Sequence, residues 1–166
     1  CTTNENVFAA GDVTRDLQIL HVAEAEGKVA GYNAAVGSHE KKVVHSALMM
    51  AVIFTEHPFA HVGMSEKEAH EKELPIVAKT IRFPETGRAI VMGVEHGLWK
   101  LIVHRDSGQI LGSTILGPRA DDLIHQVHIA MTLQADIRAL AKTFAYHPTL
   151  SEQFVSLLRS CVKELS

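Results

Sequence analysis

The sequence predicts an α+β fold, in which an antiparallel sheet has helices packed on one face and is preceded by a truncated βα remnant of another domain. Its 166 residues are 46% hydrophobic and 21% charged, which is an ordinary composition for one hydrophobic core of this length. Strand-like runs separated by turns fill most of residues 43–117, and helical patterns follow them. Strands followed by a group of helices favour an α+β layer over alternating βα units.

The N-terminal part predicts one strand and one helix. Val7–Ala10 is an apolar run that stops at Gly11 and Asp12, which indicates a buried strand and a turn. Apolar and small residues recur at helical spacing over 19–36. Because a lone βα unit has no second strand to pair with, we expect the strand to be disordered here or paired with another chain.

The rest of the chain predicts the sheet and its helices. Strands are predicted at 47–55, 76–83, 88–93, 97–106 and 109–117, with a hairpin turn between the last two. Ser65 and Glu68 have the spacing of a capping box, which predicts a helix over 64–73. Further helices are predicted over 120–133, 137–141 and 150–164.

Composition excludes several classes of function. The net charge is −3 and the basic residues are scattered, so no nucleic-acid partner is predicted. The longest apolar run, Ala47–Phe54, is too short to span a bilayer, so no membrane is predicted. Cys1 and Cys161 lie at opposite ends, which fits a reducing, cytoplasmic setting without disulfides. The first residue is not methionine, and we expect a piece of a longer protein.

Histidine is frequent, with 11 residues, but no metal site is predicted. His57 and His61 are four apart, but Pro58 between them breaks the helix that this spacing needs. His125 and His128 could share a helix face, yet no third ligand is placed convincingly beside them.

The segment HPTLSE allows two interpretations. Pro148 keeps His147 out of the helical region, so the imidazole lies at the start of the last helix. Thr149 and Glu152 have the spacing of a capping box, in which the glutamate reaches back to the helix start. In the other interpretation Glu152 bonds one imidazole nitrogen of His147, and the other nitrogen faces a substrate proton. The two interpretations compete for one carboxylate.

The segment FAAGDV is a candidate ligand site. Gly11 lets the backbone approach a ligand closely, and the Asp12 carboxylate can accept hydrogen bonds from sugar-like hydroxyls. The predicted helix that follows presents its first N–H groups near Ile19, Leu20 and His21, where they favour negative charge. An ordinary strand and turn would have the same sequence, so the motif alone is a weak signal.

Taken together, the motifs carry a family resemblance. The segments NVFAAGDV, ILHVAEAEG, VIFTEHPFAHVGMSEKEA, GQILGSTILGPRADDLI and AYHPTLSE follow one another over essentially the whole chain. They resemble the carboxyl-terminal part of the pyridine nucleotide-disulfide oxidoreductases, the flavoprotein family of dihydrolipoamide dehydrogenase, glutathione reductase and mercuric reductase. The resemblance implies that residues 1–40 are a remnant of the FAD-binding domain. It also implies that residues 41–166 are the interface domain, which builds a homodimer.

The resemblance also implies roles for the candidate residues. Gly11 and Asp12 would hold the ribityl and pyrophosphate region of FAD, and the backbone of residues 19–21 would lie by the flavin pyrimidine ring. The residue matching His147 reaches the partner subunit's flavin and redox disulfide as general acid/base. The residue matching Glu152 orients that histidine.

The chain lacks other parts of the family pattern. It contains no G-x-G-x-x-G for FAD or NAD(P) and no C-x4-C redox pair, so we expect this chain alone to be inactive and to bind at most weakly to flavin. The resemblance implies a dihydrolipoamide dehydrogenase-like parent that acts on a small or protein-bound disulfide, with a glutathione reductase-like parent as second choice. Cys161 is a single cysteine, not the vicinal pair of mercuric reductases. The alternative is a non-catalytic homodimerisation module.

Overall fold

A computed structural model describes residues 2–14, 18–36, 40–44 and 48–165. The chain divides into two compact units, residues 1–49 and residues 50–166. The assignment of 1–40 to an FAD-binding domain and of 41–166 to an interface domain stays a prediction.

The first unit contains one long helix, and the predicted helix over 19–36 is confirmed as α1, Leu20–Val36. The buried side chain of Asn33 binds the backbone of Lys42. Its Nδ2 donates to the Lys42 carbonyl at 2.9 Å, and its Oδ1 accepts from the Lys42 N–H at 2.8 Å. Residues 7–10, which the structure describes, form no strand, and Val7 is 48% exposed, in agreement with the expectation that this segment has no strand partner within the chain. An apolar run without a neighbouring strand has no partner for its backbone groups.

The second unit is built on a five-stranded sheet, which confirms the predicted fold class. Its strands are β1 Met50–Ile53, β2 Phe59–Gly63, β3 Ile76–Arg82, β4 Leu98–His104 and β5 Ile110–Leu116. The order is β1-β2-β5-β4-β3 and every neighbouring pair is antiparallel. The hairpin predicted at residues 106–109 joins the two central strands β4 and β5.

Five helices accompany the sheet in the described part of this unit. They are α2 Glu66–Glu71, α3 Gly87–Val91, α4 Ala120–Thr132, α5 Ile137–Leu140 and α6 Glu152–Val162. α4 packs on β5 and β2, and α6 packs on β3 and β4. The helices α4 and α6 therefore cover one face of the sheet, and α6 carries Glu152 at its first turn.

Two predictions about local structure need correction. The run 88–93 was predicted as a strand, but its residues form α3 and the turn that follows. Ile90 and Val91 are 61% and 70% exposed there, so this apolar run faces outward instead of joining the sheet. The strand β2 is absent from the prediction, because Pro58 and His61 interrupt the apolar pattern of a segment that lies inside the sheet.

The core fixes α6 on the sheet. Trp99 of β4 is fully buried, and its ring stacks on Phe154 of α6 with centroids 5.8 Å apart. Its Nε1 donates to Oγ of Ser113 on β5 at 3.0 Å, and Ser113 donates in turn to the Lys100 carbonyl at 2.8 Å. The one polar group of the buried ring is therefore satisfied, and the start of α6 lies at a defined position over β4.

The backbone that follows β2 lies close against Gly112 of β5. A Cβ at Gly112 would collide with the backbone of Met64, whose N–H donates to the Leu111 carbonyl at 2.8 Å. The predicted capping box is confirmed, because the Ser65 hydroxyl accepts from the Glu68 N–H and the Glu68 carboxylate accepts from the Ser65 N–H. The cap at Ser65 therefore starts α2 directly after Met64.

Candidate functional site

The structure brings His147 and Glu152 into contact. Nδ1 of His147 lies 2.9 Å from Oε2 of Glu152, which is hydrogen-bonding distance. The imidazole is 75% exposed, whereas the Glu152 side chain is only 18% exposed. A carboxylate anchored in the protein surface therefore orients a ring that projects outward.

Thr149 resolves the competition for that carboxylate. Its hydroxyl donates to the Tyr146 carbonyl at 2.8 Å and accepts from the Glu152 N–H at 3.3 Å. Thr149 thus accepts from the first N–H of α6, whose N-cap residue is Ser151, while the Glu152 side chain is directed to His147. The two interpretations of HPTLSE each hold in part, since different atoms of Glu152 serve them.

The segment that precedes His147 is hydrogen-bonded to α6. Arg159 of α6 donates from Nε to the Ala141 carbonyl at 3.1 Å and from Nη2 to the Thr143 carbonyl at 3.3 Å. The His147–Pro148 peptide bond is cis. The sequence offered no signal for the role of Arg159, because its partners lie more than fifteen residues away and are backbone atoms.

A hollow of about 290 Å³ opens beside His147, and we call it the His147 hollow. It is lined by Ile81, Arg82, Glu85, Thr86, Gly87, His147, Glu152, Gln153 and Ser156. A Cβ at Gly87 would lie 3.7 Å from Cε1 of the imidazole, so the ring of His147 lies close over the start of α3. The hollow therefore gives a molecule access to both the imidazole and the first turn of α6.

The Gly11 turn of the first unit is closed by a carboxylate that the sequence analysis missed. The Gly11 N–H donates to Oε2 of Glu26 at 2.6 Å, and the Thr14 hydroxyl lies 3.1 Å from Oε1 of the same side chain. Gly11 has a φ of +79°, which only glycine adopts without strain. Asp12 is exposed in a short 3-10 helix over Asp12–Thr14. Gly11 therefore supplies the turn, and the Asp12 carboxylate has no hydrogen-bond partner among the residues that the structure describes.

The start of α1 lies in the same unit as this turn. The N–H groups of Val22 and Ala23 both donate to the Ile19 carbonyl, at 3.1 and 3.0 Å, so the helix begins at Ile19–Leu20. A Cβ at Gly11 would lie 3.4 Å from Cβ of Ala23, which places the turn against the first turns of the helix. The structure therefore brings the Gly11 turn next to the start of α1, the two elements that carry the predicted cofactor-binding residues.

Other site classes have less support. Within the described ranges, no three histidine, cysteine, aspartate or glutamate side chains are grouped to hold a metal ion. No helix in those ranges is long and apolar enough to cross a membrane. Burial raises the pKa of the Cys161 thiol to about 12, so this cysteine is packed as a small apolar residue.

Comparison with known proteins assigns the chain to a family. The pyridine nucleotide-disulphide oxidoreductase dimerisation domain matches residues 49–158. The chain therefore belongs to the pyridine nucleotide-disulphide oxidoreductase family, and the predicted resemblance is confirmed. Enzymes of this family depend on FAD and NAD(P) and form homodimers.

Particular relatives and solved structures agree with this assignment. Dihydrolipoyl dehydrogenases of Chlamydia muridarum and Geobacillus stearothermophilus are 35% and 34% identical over 151 residues, which are 91% of this chain and 32% of each relative. LpdA of Mycobacterium tuberculosis has the same fold, with a TM-score of 0.82 and 24% identity over 95% of this chain and 35% of that chain. The HOCl-induced flavoprotein disulfide reductase RclA of Escherichia coli, as a Cu(II) complex, has a TM-score of 0.80 and 25% identity over 95% of this chain and 36% of that chain. The chain thus spans about a third of the length of its relatives.

Proposed function

We propose that this chain is the dimerisation part of an FAD-dependent, dihydrolipoamide dehydrogenase-like oxidoreductase and supplies His147 and Glu152 to the partner subunit's active site. The observation that carries the proposal is the 2.9 Å contact between a largely exposed imidazole and a largely buried carboxylate. An exposed ring on a fixed carboxylate is suited to act on a group outside its own chain.

The pair has the geometry of an acid/base device. When Glu152 accepts from Nδ1–H of His147, the neutral ring is the tautomer with an unprotonated Nε2. Nε2 of His147 has no hydrogen-bond partner among the described residues. It is therefore available to take a proton from a thiol and to return it.

The proposed reaction releases one proton, and His147 takes it from the substrate. A substrate dithiol and NAD(P)⁺ give a disulfide, NAD(P)H and one H⁺. His147 takes the proton of one thiol, and the resulting thiolate attacks the redox disulfide of the enzyme, whose S–S bond breaks to leave a second thiolate. The imidazolium of His147 stabilises the thiolates formed. Bound FAD and NAD(P) supply the electron transfer, while Glu152 keeps the ring of His147 oriented.

The first unit supports the flavin side of the proposal. Gly11, Asp12 and the backbone of residues 19–21 would hold the ribityl, pyrophosphate and pyrimidine-ring edges of FAD. The positive φ of Gly11 and its packing against α1 fit this role. We also propose that the chain alone is inactive, since its share of each relative is about a third, and that the parent enzyme is cytoplasmic.

The test joins this chain to the FAD- and NAD-binding parts of the Chlamydia muridarum dihydrolipoyl dehydrogenase, in place of the matching third. We expect dihydrolipoamide-dependent reduction of NAD⁺, and a loss of about 10²- to 10⁴-fold in kcat/KM for His147→Gln. His70→Gln, which changes an exposed histidine of α2, is the matched control and should keep full activity. Equal activity of the His147→Gln and His70→Gln chimeras would refute the proposal.

A second candidate function is non-catalytic homodimerisation, and an exposed apolar groove favours it. The groove has a volume of about 550 Å³ and lies along the end of α4 and the segment before α6. Phe144 and Leu133 on its rim are 99% and 71% exposed, an arrangement typical of association surfaces. We expect the chain to sediment as a dimer and Phe144→Asp to shift it to monomer. His147→Gln should leave the dimer intact, which separates association from catalysis.

A further inference from the structure

The segment that carries His147 makes few hydrogen bonds of its own. Within the described part of the chain, residues 144–149 take part in no backbone–backbone hydrogen bond. The large side chains of Phe144 and Tyr146 are 99% and 84% exposed, so packing in the core does not hold them. The position of the imidazole therefore depends on side-chain contacts that reach this segment from elsewhere.

Arg159 holds the start of the segment over residues 141–149. Its Nε and Nη2 donate to the carbonyls of Ala141 and Thr143, at 3.1 and 3.3 Å. Among the described residues outside 140–152, Arg159 alone contributes a side-chain hydrogen bond to this segment. The guanidinium presents its N–H groups in a rigid planar fork, so two such bonds fix the direction of the backbone as well as its distance from α6.

Arg159 and Glu152 reach the segment from one helix. They are seven residues apart on α6, which is about two turns and therefore the same side of the helix. The buried side chains of Phe154, Leu157 and Leu158 fix α6 on the sheet. Glu152 binds the imidazole itself, and Arg159 binds the backbone that precedes it. The helix thus holds the ring of His147 by two separate contacts.

Arg159 is separate from the place where a reacting group would lie. It is not among the residues that line the His147 hollow. An arginine stays protonated throughout the range in which an imidazole titrates, so its two hydrogen bonds persist while His147 gains and loses a proton. We therefore expect any effect of Arg159 on turnover to act through the position of His147.

We propose that Arg159 is a positioning residue for the acid/base step, which holds the backbone before His147 so that Nε2 of the ring faces the reacting thiol. The inference rests on the proposed function, because that function places the thiol at His147. A misplacement of about 1 Å that originates far from the chemistry can cost about 10²-fold in rate. Loss of the guanidinium should therefore lower turnover without removing a contact to the substrate.

The test uses the same chimera and the variant Arg159→Met, which keeps an unbranched side chain without the donors. We expect kcat for the oxidation of dihydrolipoamide by NAD⁺ to fall by about five- to fiftyfold, while KM changes by less than about twofold. Arg159→Lys keeps the charge and a donor group, so it should recover part of the lost kcat. In a His147→Gln background, Arg159→Met should have almost no further effect, because both changes act through one group.

Arg105 provides a matched control near the other end of α6. It also donates to two backbone carbonyls, from Nη1 to Glu164 at 2.9 Å and from Nη2 to Ile76 at 3.3 Å. Arg105→Met should therefore lower the melting temperature of the chimera to a similar extent as Arg159→Met but leave kcat unchanged. The comparison separates a loss of stability from a loss of position at His147.

The outcomes distinguish this inference from the proposed function. An unchanged kcat in Arg159→Met, an equal loss of kcat in Arg105→Met, or a full additional loss in the His147→Gln background overturns this inference alone, provided that turnover still depends on His147. If Arg159→Met folds poorly, Arg159→Gln replaces it with the same expected loss. Turnover that does not depend on His147 overturns the proposed function and this inference with it.

Discussion

The ring of Phe154 lies parallel to the ring of Trp99, with centroids 5.8 Å apart and an angle of 5° between the planes. Phe154 follows Glu152 by two residues in α6, and Trp99 is fully buried in β4. The stack therefore sets the distance between the first turn of α6 and the sheet. Through that turn, the position of the His147–Glu152 contact depends on the packing of the core.

Removal of this stack should destabilise the second unit strongly. Phe154→Ala leaves a cavity beside Trp99, and we expect the free energy of unfolding to fall by about 3–5 kcal/mol. Chemical denaturation followed by Trp99 fluorescence measures the change. Phe54→Ala is the matched control, because Phe54 is 79% exposed, and its effect should stay within about 0.5 kcal/mol. Similar losses in the two variants would contradict the packing argument.

The hydrogen bond from Trp99 to Ser113 makes a separate prediction. Ser113→Ala leaves the buried Nε1–H without its partner, and we expect a loss of about 1–3 kcal/mol in the free energy of unfolding. Trp99→Phe removes the donor itself, so the double variant should lose less than the sum of the two single variants. A double-mutant cycle by urea denaturation measures this coupling. Additive losses would mean that the contact contributes nothing.

The two uses of Glu152 can be separated by two variants. Thr149→Ala removes the capping hydroxyl and should lower the free energy of unfolding by about 0.5–2 kcal/mol, with little change in turnover of the chimera. Glu152→Gln keeps the backbone cap but loses the charged acceptor of His147, and kcat should fall by about 10- to 100-fold. Thermal unfolding and steady-state kinetics together measure the two effects. A catalytic loss in Thr149→Ala equal to that in Glu152→Gln would show that both act through helix position.

The capping box of α2 predicts a pH dependence of stability. The Ser65 hydroxyl, and then its backbone N–H, hydrogen-bond the Glu68 carboxylate and hold its pKa below the usual 4.5. Because the folded pKa is lowered, the stabilisation is complete above pH 4.5 and is lost as the pH falls through the folded pKa. Ser65→Ala should therefore lower the melting temperature near neutral pH, and this difference should shrink in acid. A difference independent of pH would exclude a role for the carboxylate.

Cys161 should be inert in the folded protein. Its thiol is fully buried, and its pKa is raised to about 12, mainly by burial, so almost none is thiolate near neutral pH. In a Cys1→Ser background, we expect alkylation of Cys161 only at the rate of unfolding. Mass spectrometry after iodoacetamide labelling, with and without denaturant, measures it. Rapid labelling without denaturant would show that the helix opens locally.

Local signals in the sequence predicted the elements whose contacts are local. The capping box of Ser65 and Glu68 involves neighbours three residues apart, and the turn at 106–109 joins two adjacent strands. The HPTLSE segment was interpretable for the same reason, since His147 and Glu152 are five residues apart. These interactions form from a short stretch of chain, so a pattern in that stretch contains the information.

Elements that depend on distant partners could not be predicted in this way. β2 exists because β5 and β1 pair with its two sides, and its own pattern is broken by Pro58. The apolar run 88–93 has no strand beside it. Its hydrophobicity alone therefore predicted a strand, where the structure has α3 and a turn. Glu26 and Arg159 were missed because their partners are backbone groups that only the folded chain brings to them.

The close approach of the Met64 backbone to Gly112 also limits how β2 and β5 can be aligned. Gly112 pairs with Gly63 in the β2–β5 ladder, and the Met64 N–H bonds the Leu111 carbonyl next to it. A slip of one residue would bring Leu111 or Ser113, each with a side chain, under the Met64 backbone, where there is no room for a Cβ. Gly112 therefore disfavours a slip in the register between β2 and β5.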